Sequence, residues 1–432
     1  MTPSEDLVRC LEALSRHPAR RAASSSEPDF VAFKQSLQAR FPSVRNTFGL
    51  NFALGAALDR LGIGQRPGTP TPNIAAAAAR LEEAFQATHI NRTHLCPLDT
   101  ADELPNLTFG PNTVTTLSVE DLRGLLAPIG PQAAAVDPRF SEFRWLIVRE
   151  RIAVEHEPGH RAFPFLFDAQ QDFAQIEPHK RRFPQAVERA LFALLLAPWE
   201  DLVGHADFNW RAFHVPWVYT VEDDLFVRPP ALPSADSLTW ETKFHNDGTE
   251  EGEEYEVPGA FHFQPPIGSL EAVVNDERWL AIEHALGSDL FSTPIVHFLV
   301  SAFLGDGIDE FIGHLMALEA CLGLRGDWSG EHVVGARISA LLQDAEVAAA
   351  YSELFNLRSE YVHGRPMGTI GGRARVSARR LARQVAAALV ESPFKPTDDR
   401  VSFLEGLAPR KRPKQPKADK GEGGTPSPAA EP

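Results

Sequence analysis

The chain has few of the residues that staple small secreted domains. Its three cysteines, Cys10, Cys96 and Cys321, are odd in number, widely spaced and outside any CxxC pair. That pattern argues against a disulfide framework or a structural zinc site and points to a reducing cytoplasm. Long apolar runs are missing too. The longest, residues 190–199 and 295–304, fall far short of the ~20 residues that span a bilayer, so no membrane partner is expected. The opening MTPSEDLVRC has acids where a secretory signal has a basic flank and an apolar core, so no export signal is read there. There is no Walker loop, no G-x-S-x-G elbow, no dinucleotide fingerprint and no internal repeat. No cofactor is therefore anticipated.

What is present suits a large soluble core. The 432 residues are 43% hydrophobic and 23% charged, enough for more than one domain. The 35 prolines and 28 phenylalanines predict many irregular connections around an aromatic interior. The formal net charge of −16 excludes a protein that coats nucleic acid along its whole surface, so any such contact needs a local basic patch.

The hydrophobic pattern predicts an α+β chain: a mixed, sensor-like N-terminal region over residues 1–227, then an all-α bundle over residues 276–395. Residues up to 40 read as short helices, with Ser4 as a cap and Leu7, Leu11 and Leu14 at helical spacing. Residues 73–88 form a good alanine-rich helix, and Ser118 with Asp121 marks another helix start. Residues 143–154 read as a strand and residues 184–196 as an apolar helix. Residues 228–275, rich in Pro, Gly, Ser and acids, read as an exposed linker or long loop. Residues 410–432 form a basic tail that can bury nothing and is expected to be disordered.

Four helices are drawn in the bundle: residues 294–322 with a break at 305–307, 331–343, 345–363, and 377–390 capped by Ser377. The third is the informative one. Val347, Tyr351, Leu354 or Phe355, then Tyr361 and Val362 continue one buried stripe, and Arg358 occupies a place in it where Leu or Ile belongs. A guanidinium buried there without a partner costs several kcal/mol, so an anion or a wet cleft must face it. On the preceding long segment Glu319 interrupts the face of Ile312, Leu315 and Leu322, which makes it the expected partner of Arg358. A structural ion pair that fixes helix packing explains the same pattern. His363 closes the third helix just before Gly364, where the helix dipole favours a positive charge and an imidazole is placed for proton transfer.

These residues carry a resemblance. YSELFNLRSEYVHG is similar to the signature of the Apea-like HEPN family, with the upstream FIGHLMALEACLG and RISALL similar to that family's earlier helices. The match covers the C-terminal third. It implies a HEPN helical bundle and metal-independent endoribonuclease activity, in which the ribose 2′-hydroxyl attacks the adjacent phosphate. His363 would be the general acid or base and Arg358 the phosphate holder. Glu319, Ser359 and Tyr361 would support them. Ser359 departs from the Asn, Asp or His that many toxin members place after the arginine, and fits the Apea-like branch. The resemblance also implies a homodimer through this domain and a role in phage defence or toxin-like growth arrest, with the N-terminal region sensing a trigger such as a phage component. A run of arginines without acids follows the motif: Arg365, Arg373, Arg375, Arg379, Arg380 and Arg383 are the expected RNA-binding patch, or else an ordinary solvated helix face.

Two other readings stay open. One is a noncatalytic HEPN module for dimerisation or for binding nucleic acid or nucleotide. The other is a metal-dependent hydrolase in the N-terminal region, where EHEPGH supplies Glu155, His156, Glu157 and His160. Pro158 breaks the helix that the metalloprotease spacing requires, so no metal is assigned. His205, Asp207 and His214 sit among aromatics and read as core or loop polar residues.

Overall fold

A computed structural model describes residues 4–42, 44, 48–65, 72–101, 104–130, 136–157, 159–162, 183–202, 211, 213–245, 253–260, 270–327, 329–364, 370–394 and 399–408. The basic tail from residue 410 and Arg365 lie outside the described residues. The chain opens with α1 (Glu5–Ser15), α2 (Ala19–Ala22), α3 (Pro28–Arg40), α4 (Phe48–Arg60) and α5 (Ile74–Gln86). Leu7, Leu11 and Leu14 of α1 are buried as their spacing predicts, although the Ser4 side chain makes no cap bond. Asn73 does cap α5, accepting from the Ala76 amide at 3.1 Å. These helices share a core that also takes in Leu225 and Phe226.

An antiparallel sheet follows. Its strands are β1 (His89–Leu98), β2 (Leu107–Phe109), β3 (Asn112–Thr116), β4 (Arg144–Ala153) and, after the helix α6 (Val119–Leu126), the small hairpin β5 (His156–Glu157) and β6 (His160–Arg161), and the helices α7 (Gln185–Leu195) and α8 (Trp199–Leu202), the last strand β7 (Tyr219–Glu222). The order is β2-β3-β4-β1-β7. Because side chains alternate, the sheet has two covered faces. Cys96, Leu98, Val114, Leu146 and Val148 face α7, while Leu95, Trp145, Ile147, Tyr219 and Val221 face α6, whose start is fixed by the Ser118–Asp121 capping box.

The segment 228–275 includes packed positions among its described residues. It carries the exposed antiparallel hairpin of β8 (Trp240–His245) and β9 (Glu253–Pro258), and Ala235 and Leu238 are buried in the α6-side core. Trp240 stands edge-on to Phe143 at 5.0 Å. Glu254 and Glu256 of the acidic run are exposed on β9, while Ala235 and Leu238 anchor the segment.

The C-terminal part is all helical: α9 (Asp276–Leu286), α10 (Ile295–Leu304), α11 (Ile308–Leu322), α12 (Gly330–Leu342), α13 (Val347–Val362), α14 (Gly372–Glu391) and α15 (Arg400–Leu407). The break between α10 and α11 falls where glycines predicted it. Ser377 is not a cap: α14 starts five residues earlier, at Gly372, and Ser377 lies within it. These helices do not have a core of their own. One apolar cluster runs from the sheet through α7 to α10, α11 and α14, so the change in composition near residue 228 is not a break in packing. At the β2–β3 turn, Gly110 has φ of 57° and a Cβ there would lie 2.2 Å from the Trp279 ring. That turn must be glycine for α9 to dock on the sheet. Among the described residues no helix is long and apolar enough to cross a membrane.

Buried arginines brace the helical part. Arg337 of α12 is fully buried and donates to Asp327 at 2.8 and 3.2 Å and to the carbonyls of Leu322 and Leu404 at 2.7 and 3.1 Å. Arg400 donates to the carbonyls of Leu290, Ala320 and Cys321 at the ends of neighbouring segments. Arg337→Ala is expected to cost about 3–5 kcal/mol by removing the counter-charge of the Asp327 carboxylate, whose side chain is 5% exposed. Denaturant unfolding checks this, and an unchanged midpoint would remove Arg337 as a brace.

Candidate functional site

The site predicted on α13 is partly assembled. Arg358 Nη2 lies 3.5 Å from Glu319 Oε2 on α11, and the guanidinium sits 5.8 Å over the Phe355 ring. The stripe that carries them is shorter than its spacing predicted. Tyr351 and Leu354 are buried, but Tyr361 and Val362 are 47% and 54% exposed. At the end of α13, apolar side chains are therefore exposed. Arg358 thus stands at the rim of the core, not inside it, with side-chain exposures of 27% for Arg358 and 34% for Glu319. Burial pushes the Glu319 carboxyl up and the Arg358 charge draws it back. Tyr351 lies behind the pair; burial and then the Glu319 charge push its hydroxyl up. That hydroxyl has no hydrogen-bond partner among the described residues. Ser352, one residue on, donates to Glu331 of α12.

His363 is the C-cap of α13, exposed, with its amide donating to the Ser359 carbonyl at 3.0 Å. Gly364 follows with φ of 63° and donates to the Tyr361 carbonyl at 3.1 Å, the left-handed stop that the sequence predicted. Along a helix, five residues correspond to about 7.5 Å of rise and roughly 140° of rotation. Arg358 and His363 therefore leave α13 in different directions.

The arginine run behaves differently from a free basic patch. Arg375 and Arg379 reach Glu310 of α11 at 3.0 and 2.9 Å, and Arg211 approaches the same carboxylate at 3.7 Å. Arg383 Nε donates to Glu200 of α8 at 2.8 Å, and Arg380 reaches Asp201 at 2.6 Å. Four of the six expected RNA contacts are thus engaged with carboxylates of this chain, and Arg379 is itself buried. Of the described members, Arg373 is exposed and makes no such contact with a carboxylate among the described residues. The helical spacing of Arg375, Arg379 and Arg383, four apart, was the available sign that they share one inward-turned face.

Burial alone would raise the Glu310 carboxyl, but Arg379, His314 and Arg375 hold it below the ordinary range. Burial draws Arg379 down to about 10 and the His314 imidazole down to about 4.

The N-terminal metal reading finds no support in these positions. His156 and His160 lie on opposite strands of the β5–β6 hairpin, and their ring nitrogens bond to the carbonyls of Ala87 and Arg161. His214 pairs through its backbone with Asp99, and burial lowers its imidazole; His205 and Asp207 lie outside the described residues. Among the described residues one group brings three ligand atoms together: His17, Glu27 and Asp29. There Arg21 already donates to Glu27 at 2.5 Å, and the group opens α3, whose positive end disfavours a cation. No family model, curated protein or solved structure matches this chain.

His314 gives a pH signature. The unfolded chain protonates this imidazole below about 6.5, the folded chain only near 4. Stability present above pH 6.5 is therefore lost as pH falls from 6.5 towards 4, by an amount on the order of 3 kcal/mol at most. His314→Gln should flatten that part of a stability-versus-pH curve. An equally steep curve in the variant would assign the loss to other groups.

Proposed function

We propose that the chain is a metal-independent endoribonuclease of the HEPN kind, acting on RNA in the cytoplasm. The observation that carries this reading is the Arg358–Glu319 contact of 3.5 Å at the rim of the core, one and a half turns before an exposed helix-terminal His363. A phosphate in place of the Glu319 carboxylate keeps Arg358 paired while placing the anion on the solvent side. His363 then acts as general acid or base on the 2′-hydroxyl or the leaving oxygen, and Arg358 stabilises the charge on the pentacoordinate phosphorus. Because the two side chains diverge on α13, a single helix does not close around one phosphate. A homodimer that joins two copies of α13 supplies the missing half, and the exposed Tyr361 and Val362 give that contact apolar surface. No metal takes part in this chemistry. The resemblance of the motif also supports a role in phage defence or growth arrest, triggered through the N-terminal region.

A second reading is favoured by the internal engagement of Arg375, Arg379, Arg380 and Arg383, which leaves little free positive charge for a phosphate backbone. Under it the helical part is a noncatalytic dimerisation or nucleotide-binding module.

Cleavage of a fluorescent RNA oligonucleotide by the purified chain separates the two. His363→Ala should lower the rate by roughly 10²–10⁴-fold, and Arg358→Ala comparably. A chelator should leave the rate unchanged. Unaltered cleavage by His363→Ala would reject the nuclease reading, and a chain that self-associates without cleaving RNA would favour the second.

A further inference from the structure

A second polar cluster lies on the sheet, remote in sequence from α13. β1 is flanked by β4 and β7, and the register sets His94 beside Val148 on one side and beside Thr220 on the other. His94, Glu150 and Thr220 therefore project from one face, the face that α7 covers further along. His94 is 1% exposed, and its ring is held at both nitrogens. Nδ1 is 2.9 Å from Thr220 Oγ1, and Nε2 is 3.0 Å from Glu150 Oε1. A carboxylate can only accept, so Nε2 carries the hydrogen. Burial lowers the imidazole's proton affinity, only partly restored by Glu150, so the ring is neutral and Nδ1 accepts from the Thr220 hydroxyl. Hydroxyl, imidazole and carboxylate stand in the order of a nucleophile, a base and the group that orients the base.

A cavity of about 290 Å³ opens on the same side, with His94, Thr220, Arg92, Arg60, Pro184 and Pro230 in its wall. It has room for a small molecule only. Arg92 is anchored by Nε on Glu222 at 2.9 Å, while its Nη1 makes only a 3.5 Å contact with Glu150. Its Nη2 also reaches Glu222 at 2.8 Å, and the side chain lines the same cavity as Thr220. Arg60 is occupied by the carbonyls of Pro128 and Glu222 and holds the wall in shape.

We propose that this pocket is an acyl-transfer site for small carboxylic esters, with Thr220 as nucleophile, His94 as general base and Glu150 as the residue that positions the imidazole. Thr220 Oγ1 bonds to the ester carbonyl carbon as its proton passes to His94 Nδ1. The carbon–alkoxide bond then breaks, and the alkoxide leaves with that proton as an alcohol. Water attacks the threonyl ester, gives its proton to His94 and releases the carboxylic acid, and the Thr220 hydroxyl is restored. Arg92 stabilises the oxyanion in both halves. This activity is independent of the site on α13.

The test uses the full chain with a fluorophosphonate probe, which traps an activated hydroxyl by losing fluoride. The expected result is one adduct per chain, located on Thr220 by peptide mass mapping. Thr220→Val, which keeps the shape of the strand residue, should abolish it, while Thr220→Ser should retain it. His94→Gln should slow labelling by roughly 10²-fold or more, and Glu150→Gln should slow it less. Circular dichroism identifies any variant that fails to fold; Thr220→Val against Thr220→Ser then decides alone. Absence of an adduct on Thr220, or equal labelling of Thr220→Val, would overturn the assignment and leave the cluster as a cross-strand packing device.

Discussion

The carboxylate of Glu310 is fully buried, and the arrangement of the helical part follows from what it neutralises. Arg375 and Arg379 approach from α14 and Arg211 from the segment leading into β7. Arg211 also donates to the carbonyls of Phe303 and Gly305, at the negative end of α10. One carboxylate thus ties α10, α11, α14 and the approach to the sheet. Removing it would strand Arg379 in a low-dielectric interior, which costs far more than the pair itself contributes. With α14 so fixed against α11, α13 packs across α12 and α14, and Arg358 and Glu319 meet at the edge of that layer.

This arrangement changes how the net charge of −16 should be weighed. The acid-free stretch after the motif looked like an electropositive surface, because counting along a sequence treats every arginine as solvated. Glu200, Asp201 and Glu310 come from far up the chain and cancel much of it. An anion bound near α13, as proposed, would therefore be met by a few side chains at short range and not by a broad field. Local contacts of that sort give geometric selection among phosphates more than raw affinity.

Local periodicity made the elements readable: α1, α5, β4, α7 and the divided α10–α11 all follow from apolar spacing, glycine breaks or caps within about fifteen residues. The Glu319–Arg358 contact was readable for the same reason, since each residue breaks an otherwise apolar face. Other features depend on partners that the chain brings from afar. Tyr361 and Val362 continue the period of α13, but burial needs a packed neighbour as well as a period, and both are exposed. The β8–β9 hairpin was hidden because cross-strand pairing, not composition, holds its acidic strands. Arg337 and Arg400 look like surface residues until the carbonyls of Leu322, Leu404 and Leu290 are seen to end beside them. The His94 cluster left no trace either. Thr220 lies far along the chain from His94, and only the strand order sets them side by side.

The charged contacts of the helical part divide by their surroundings, and that division bears on the site proposed at α13. Asp327–Arg337 and Glu310–Arg379 are sealed, so breaking either removes a counter-charge from the interior. Such pairs are structural because they cannot exchange. Arg358 and Glu319 keep side-chain exposures of 27% and 34%, where water screens the attraction and the pair contributes at most about 1 kcal/mol. The Phe355 ring and the helix still hold the guanidinium in place. A cation that is held in position but only weakly committed to its partner can exchange a carboxylate for a phosphate at little cost. The buried arginines, with stronger contacts, cannot.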